Sequence, residues 1–310
     1  MKPQISRKTF LRYGVVAASL PFFPTALTVC AKENKAAFSP LAGKLKIKKS
    51  LKYGMVQEGD SVMDKFKLLK EIGYDGVELD SPNDLDKNEI LEAKAATGLE
   101  IPGVVNSEHW KSPLSHPDAD VRKKCVDSMI TALHDCKAYG GTTVLLVAGM
   151  VNENISYKDA YNRSQEEIKK LIPIAEETGI KIAIENVWNN FLLSPLEAAR
   201  FVDELESPMV GWYFDVGNVV RYGWPEHWIQ ALGSRIMKLD IKEYSRKIQK
   251  EEGIWKGFGV PILEGDCNWA VVVDALEKVG YTEGWASAEV KGGDKKRLVD
   301  ILERMKTIFS

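Results

Sequence analysis

The feature that most constrains this chain is an alternation. From residue 46 onward, short β-branched runs alternate with amphipathic stretches, and no Pro/Ser-rich linker interrupts them. Eight runs read as strands: 50–56, 75–80, 99–105, 142–148, 180–187, 210–216, 235–241 and 285–290. Helical stretches separate them, among them Met63–Ile72, Val121–Tyr139, Ala160–Thr178, one from Pro195 through Leu205, and Asp294–Ile308. Gly140 and Gly179 stand where helices stop, and Pro195 suits a first helical turn. Eight strand-then-helix units predict a single (β/α)₈ TIM barrel, whose usual size is ~250 residues. A doubly wound open sheet would carry a Gly-rich phosphate turn after its first strand, and Gly54-Met55-Val56-Gln57 is not one.

The first 36 residues differ, which divides the chain into an export segment at 1–36 and the barrel at 37–310. Lys2, Arg7, Lys8 and Arg12 make a basic start, and an apolar stretch from Gly14 to Val29 is broken by Pro21 and Pro24. It is too short and too interrupted to span a membrane and reads as an export signal. Ser6–Arg12 resembles a twin-arginine motif with Lys8 in place of the second arginine. Leu27-Thr28-Val29-Cys30 loosely resembles a lipoprotein box, in which Cys30 would carry a lipid anchor; the other reading is a plain signal cut near Ala36. The protein is therefore expected to be exported, periplasmic or lipid-anchored. With 42 basic and 44 acidic residues the net charge is −2, which argues against nucleic acid or a membrane surface as partner. Cys125 and Cys136 lie about 16 Å apart by helical rise, too far for a disulfide. They and Cys267 read as small core hydrophobes.

Reactive side chains in such a barrel sit at the C-terminal ends of strands. Four consecutive strands each place an acid there: Glu185, Asp215, Asp240 and Glu289. Strand side chains alternate between faces. Ile180, Ile182 and Ile184 share one face, Ala183 and Glu185 the other. Val210, Trp212 and Phe214 oppose Asp215; Met237, Leu239 and Ile241 oppose Lys238, Asp240 and Lys242; Ala286, Ala288 and Val290 oppose Glu289. Each acid falls on the inward face, and Glu78 does so on the second strand. Four converging carboxylates repel strongly at short range. They are relieved by protonation, by pairing with Lys238, Lys242 or Lys291, or by a cation. An all-oxygen set suits Mn²⁺ or Mg²⁺ better than Zn²⁺.

At these residues the chain resembles the xylose isomerase-like TIM-barrel family of sugar isomerases and epimerases, over roughly residues 50–308. The stretches that carry the resemblance are Ile184-Glu185-Asn186-Val187-Trp188, Phe214-Asp215-Val216-Gly217-Asn218, the string from Arg235 to Glu243, and Trp285 to Glu289. The family's metal set is Glu, Asp, His, Glu. Glu185, Asp215 and Glu289 match it, whereas Asp240 stands where the family usually has histidine, which makes the site all-oxygen and more negative. Asn218 lies where several ketose epimerases have a substrate-binding histidine. The resemblance implies one divalent metal, Mn²⁺ first, with Mg²⁺ or Co²⁺ as alternatives. It also implies a sugar or glycoside substrate, dimers or tetramers, and Glu185 and Glu289 as both metal ligands and proton carriers. The metal would acidify the C–H beside the sugar carbonyl and stabilise an enediolate.

Supporting residues are expected around these acids. His109 would polarise a substrate oxygen or simply be solvated, and Trp188 would stack on a sugar face or merely pack. Lys242 would stabilise an enolate oxygen or neutralise the acids. Asn218 and Glu78 complete the expected substrate contacts. Loop 243–268 reads as a solvated charged loop, or as a lid that touches substrate through Arg246 or Lys247. Two enzyme functions share the first step: an isomerase or epimerase, and an exported 3-keto-glycoside lyase that goes on to β-eliminate the aglycone. A non-catalytic sugar-binding barrel is a third class. A DNA-repair endonuclease, which shares the fold, normally uses a His-rich zinc cluster, and this chain has four His in all.

Overall fold

The computed structural model describes residues 45–310. The expected export segment 1–36, with Cys30, lies outside the described residues. Strands β1 (Lys46–Leu51), β2 (Leu79–Ser81), β3 (Gly103–Asn106), β4 (Thr143–Leu146), β5 (Lys181–Glu185), β6 (Val210–Asp215), β7 (Ile236–Ile241) and β8 (Glu283–Ala288) follow in chain order. They form one parallel sheet in the order β1-β8-β7-β6-β5-β4-β3-β2. Its two ends meet at a parallel bridge between Lys52 and Glu78. There the Glu78 N–H donates to Leu51 O at 2.9 Å and the Tyr53 N–H to Glu78 O at 2.8 Å. The alternation therefore closes into the (β/α)₈ barrel it predicted.

The helices are α1 (Val62–Ile72), α2 (Lys87–Thr97), α3 (Ala119–Tyr139), α4 (Tyr157–Thr178), α5 (Pro195–Asp203), α6 (Val216–Val220), α7 (Pro225–Leu232), α8 (Arg246–Glu252), α9 (Trp269–Lys278) and α10 (Lys295–Ile308). Their starts are written locally. Ser61 and Asp64 form a reciprocal capping box on α1, and Asp118, Ser156 and Ser194 accept first-turn N–H bonds on α3, α4 and α5. Gly140 and Gly179 end α3 and α4 in the left-handed conformation, the region glycine enters without steric cost.

Strand limits moved where backbone chemistry intervened. The first strand, expected at 50–56, is Lys46–Leu51, because the chain turns into a 3₁₀ turn at Tyr53–Met55. The third begins at Gly103 rather than 99, after Pro102, which has no N–H to give the ladder. The eighth ends at Ala288, so Glu289 follows the strand, yet its N–H still donates to Ile241 O at 3.1 Å. One face assignment was wrong. Met237 does not share the outward stripe of Leu239 and Ile241; it packs inside the barrel with Leu145, Ala183, Tyr213 and Val105. A register shift pairs Trp212 with Ile236 but Tyr213 with Lys238, leaving Met237 as the extra residue. A Cβ on Gly211 would overlap the Met237 thioether, so glycine makes the room.

Ile182, Ile184, Trp212, Phe214, Leu239 and Ile241 face the helices in the main core. Cys125, Cys136 and Cys267 are free and buried. Among the described residues no helix is long and apolar enough to cross a membrane.

Candidate active site

Two sequence motifs interlock to build the floor of the barrel mouth. At the end of β5, the Asn186 side chain accepts from the Trp212 indole and from the Asp215 N–H, both at 3.0 Å, and donates to Asp215 O at 2.7 Å. Asn218 donates back to Asn186 O at 3.0 Å, and the Trp188 indole donates to Asn218 O at 2.8 Å. Asp215 caps α6, its Oδ1 taking the Asn218 N–H at 2.7 Å. These bonds fix the backbone from which Glu185 and Asp215 project. Asn218 gives one amide N–H to Asn186 and still lines the cleft.

The structure brings Glu185, Asp215, Asp240 and Glu289 together, with one oxygen from each within 4.8 Å of all the others. Glu185, Asp215 and Asp240 are buried, whereas 40 % of the Glu289 side chain is open to the cleft. Lys242 Nζ lies 3.0 Å from Asp215 Oδ2 and 3.1 Å from Glu289 Oε2. Lys52 Nζ lies 2.9 Å from Asp240 Oδ1 and 2.8 Å from Glu78 Oε2. Beneath, Glu78 also accepts from the Tyr213 hydroxyl and from Lys238 at 3.1 Å. Glu78 is thus inward, as parity required. The expectation that it binds substrate gives way to a supporting role, because three side chains share its carboxylate and it does not line the cleft.

Electrostatics set these acids apart. Burial, then the charges of Glu289, Asp240 and Asp215, push the Glu185 carboxyl well above its ordinary range. Burial also dominates at Asp240 and Asp215, which rise despite Lys52 and Lys242 respectively. At Glu289 burial is outweighed by Lys242 and Lys52, and the carboxyl is lowered. Burial of Glu78 is likewise outweighed by Lys52 and Lys238, which hold it at about 2.

A divalent cation fits this set. Asp240 Oδ2 is buried with no hydrogen-bond partner, while Asp215 Oδ2, Asp240 Oδ1 and Glu289 Oε2 meet only lysine ammonium groups. Buried polar atoms of this kind call for a partner. Four acids, Glu78 included, pair with three lysines here, and Glu185 joins the cluster as a fifth acid. The deficit is two charges when all are ionised, the charge of one such ion. Lys52 supplies a positive charge beside Asp240.

Above the acids the cleft has two lobes. One, of about 610 Å³, has an aromatic wall of Trp110, Trp188, Trp255 and Phe258. The other, of about 370 Å³, is lined by Lys52, Asp80, Asn106, Ser107 and His109 among others. Glu185, Glu289 and Trp110 border both. His109 is buried rather than solvated, and burial lowers it to about 4. Its Nδ1 accepts the Val147 N–H at 3.3 Å, so the neutral ring carries its proton on Nε2. Trp188 is packed between the Arg221 guanidinium and the rings of Trp255 and Phe258.

Sequence reasoning missed Lys52, Tyr213, Trp255 and Phe258. A lysine inside a strand run was the available signal for Lys52. Loop 243–268 is not merely solvated, and of its two candidate substrate contacts, Arg246 and Lys247, the first is engaged elsewhere. That arginine is held by Val220 O and Gly223 O, and the loop instead brings two aromatic rings to the cleft.

Comparison with known proteins agrees with this architecture. L-ribulose-5-phosphate 3-epimerase UlaE of Salmonella paratyphi A is 22% identical over 236 residues, covering 72% of this chain and 80% of that protein. A D-tagatose 3-epimerase-like protein superposes with a TM-score of 0.72 at 20% identity, over 84% of this chain and 97% of the other. The 3-keto-D-glucoside 4-epimerase of E. coli gives 0.70 at 14% identity, over 85% and 99%. Residues 66–308 match the model of the xylose isomerase-like TIM barrel family, and the chain belongs to that family.

Proposed function

We propose that this protein is a divalent-metal-dependent sugar isomerase or epimerase that moves a proton at the carbon beside a sugar carbonyl. The observation that carries this reading is the convergence of four carboxylates from successive strand ends, with Asp240 Oδ2 unpartnered among them, at the floor of a cleft. Glu185, Asp215, Asp240 and Glu289 would hold the ion, and Mn²⁺ suits their all-oxygen donor set. When bound, it supplies Lewis acidity that polarises the carbonyl and acidifies the neighbouring C–H. One glutamate of the pair Glu185 and Glu289 takes the proton onto a carboxylate oxygen, and the C–H electron pair moves toward the carbonyl. The other glutamate delivers a proton to the opposite face for epimerisation; for isomerisation the proton goes to the former carbonyl carbon while the hydroxyl proton of the neighbouring carbon passes to the former carbonyl oxygen, leaving the new carbonyl at that neighbouring carbon. His109 would donate its Nε2–H to a sugar oxygen. Export, read from the N-terminal residues, would expose the enzyme to free sugars and glycosides.

A second reading keeps the first proton transfer and ends in β-elimination of an aglycone from a 3-keto-glycoside. The size and openness of the cleft favour it, since the aromatic lobe adds about 610 Å³ beyond the polar one.

The test is to incubate the Mn²⁺-loaded protein in D₂O with free ketoses and with 3-keto-glucosides separately, following deuterium uptake and any released aglycone. Uptake is expected, and Glu185→Gln should reduce it by about 10²–10⁴-fold. Release without an epimerised product selects the lyase. Uptake that survives both chelation and Glu185→Gln would overturn the reading.

A further inference from the structure

We propose that the cleft holds a second binding subsite, for a ring joined by a glycosidic bond to the reacting sugar, formed by the exposed faces of Trp110 and Trp255. The inference rests on the proton-transfer reading above and names the substrate class as a glycoside, whichever product follows.

Volume is the first argument. The polar lobe, about 370 Å³, already falls in the range of complete small-molecule sites, ~300–1,000 Å³. A single sugar ring seated there leaves the aromatic lobe unused. Both lobes border Glu185 and Glu289, so one ligand can pass from one lobe to the other across the reacting centre.

The second argument is the chemistry of the wall. Trp255 is 67% exposed and Trp110 48% exposed, and both line this lobe. An indole face packs against the weakly polar C–H face of a pyranose or against an aryl ring. Trp255 is also held in advance. It lies 4.9 Å from the Trp188 ring, which packs 4.8 Å from Phe258. The Trp188 indole is bonded to Asn218 O. The loop bearing Trp255 is tied down where the Tyr244 hydroxyl donates to Ile254 O at 2.8 Å. A fixed platform spares the ligand most of the ordering cost of binding.

Charge is the third argument. Among the described residues, Lys242 and Lys291 are the cations lining this lobe, with Arg221 behind its wall against the Trp188 ring, and Lys242 is committed to Asp215 and Glu289. One uncommitted lysine and an arginine stacked on an indole make a poor phosphate site, since phosphate recognition draws on several charge-assisted donors. An uncharged ring suits the lobe better.

The test uses the full-length Mn²⁺-loaded protein and calorimetric titration with methyl glucoside, phenyl glucoside and cellobiose. At least one two-ring ligand should bind about tenfold more tightly than the methyl glucoside, and comparing phenyl glucoside with cellobiose tells an aryl partner from a second sugar. In Trp255→Ala and in Trp110→Ala that ratio should collapse toward one, and Trp255→Phe should restore part of it. Equal binding of all three ligands, or a ratio that survives both alanine variants, overturns the subsite. Deuterium uptake into 3-keto-methyl glucoside, measured on the same preparation, separates the two claims. Uptake without the affinity ratio removes the subsite alone. The ratio without uptake keeps the subsite and removes the proton-transfer reading.

Discussion

Replacing Lys52 by methionine should both destabilise the barrel and sharpen its response to metal. Lys52 is the cation that meets Asp240, at 2.9 Å, and it also meets Glu78 at 2.8 Å. Each contact carries about 6 kcal/mol of Coulomb attraction at an effective dielectric constant near 20, and desolvation cancels much of it. Removing one partner of such a buried pair costs about 3–5 kcal/mol, because the remaining charge is stranded. Methionine keeps most of the volume, so charge dominates the change. At about 2 °C per kcal/mol for a barrel of this size, the metal-free Tm should fall by about 6–10 °C. In the unmodified protein, Mn²⁺ at 100 times its Kd should add about 2.7 kcal/mol, or about 5 °C. The variant cluster is one charge more negative, so its gain on Mn²⁺ addition should be larger. Differential scanning calorimetry with chelator and with Mn²⁺ measures both quantities. A metal-free loss under about 2 °C, or an equal Mn²⁺ gain in the two proteins, would refute the charge-matching argument.

Three further outcomes are expected. Asp240→His exchanges a carboxylate for an imidazole and should raise the preference for Co²⁺ over Mn²⁺ at least about tenfold in chelator competition; an unchanged ratio would place the ion elsewhere. Glu243, whose buried carboxylate accepts from Leu263 N, Cys267 N and the Trp269 indole, anchors loop 243–268. Glu243→Ala strands those donors at about 1–3 kcal/mol each, and limited proteolysis should then begin in this loop; cleavage elsewhere first would count against the anchor. His109 is held at about 4 by burial, below the unfolded value of about 6.5. The unfolded chain therefore binds more protons between these values, so the contribution is complete above about pH 6.5 and lost as pH falls toward 4, by about 3 kcal/mol. Urea unfolding across that range should show the acid limb, and His109→Gln should flatten it.

Much of the site was legible because strand side chains alternate with period two and reactive groups collect at one end of a parallel barrel. Ile182 and Ile184 against Glu185, or Trp212 and Phe214 against Asp215, state their faces in the residues themselves. Met237 could not be read this way, since a bulge belongs to the pairing of two strands. Trp255 and Phe258 were hidden by their neighbours, because the loop that holds them is rich in charge and gains its shape from one buried carboxylate, Glu243, and several backbone donors.

The linear order of residues decided the number of strand-helix units, the caps that start the helices and the four acids that end successive strands, for these depend on local periodicity and nearby hydrogen bonds. Barrel closure decided the rest. Only when β1 meets β2 does Lys52 reach Glu78 and Asp240, and only the folded loop brings an aromatic wall beside Glu185 and Glu289. Charge balance and cavity shape are sums over distant segments, so no single stretch of sequence contains them.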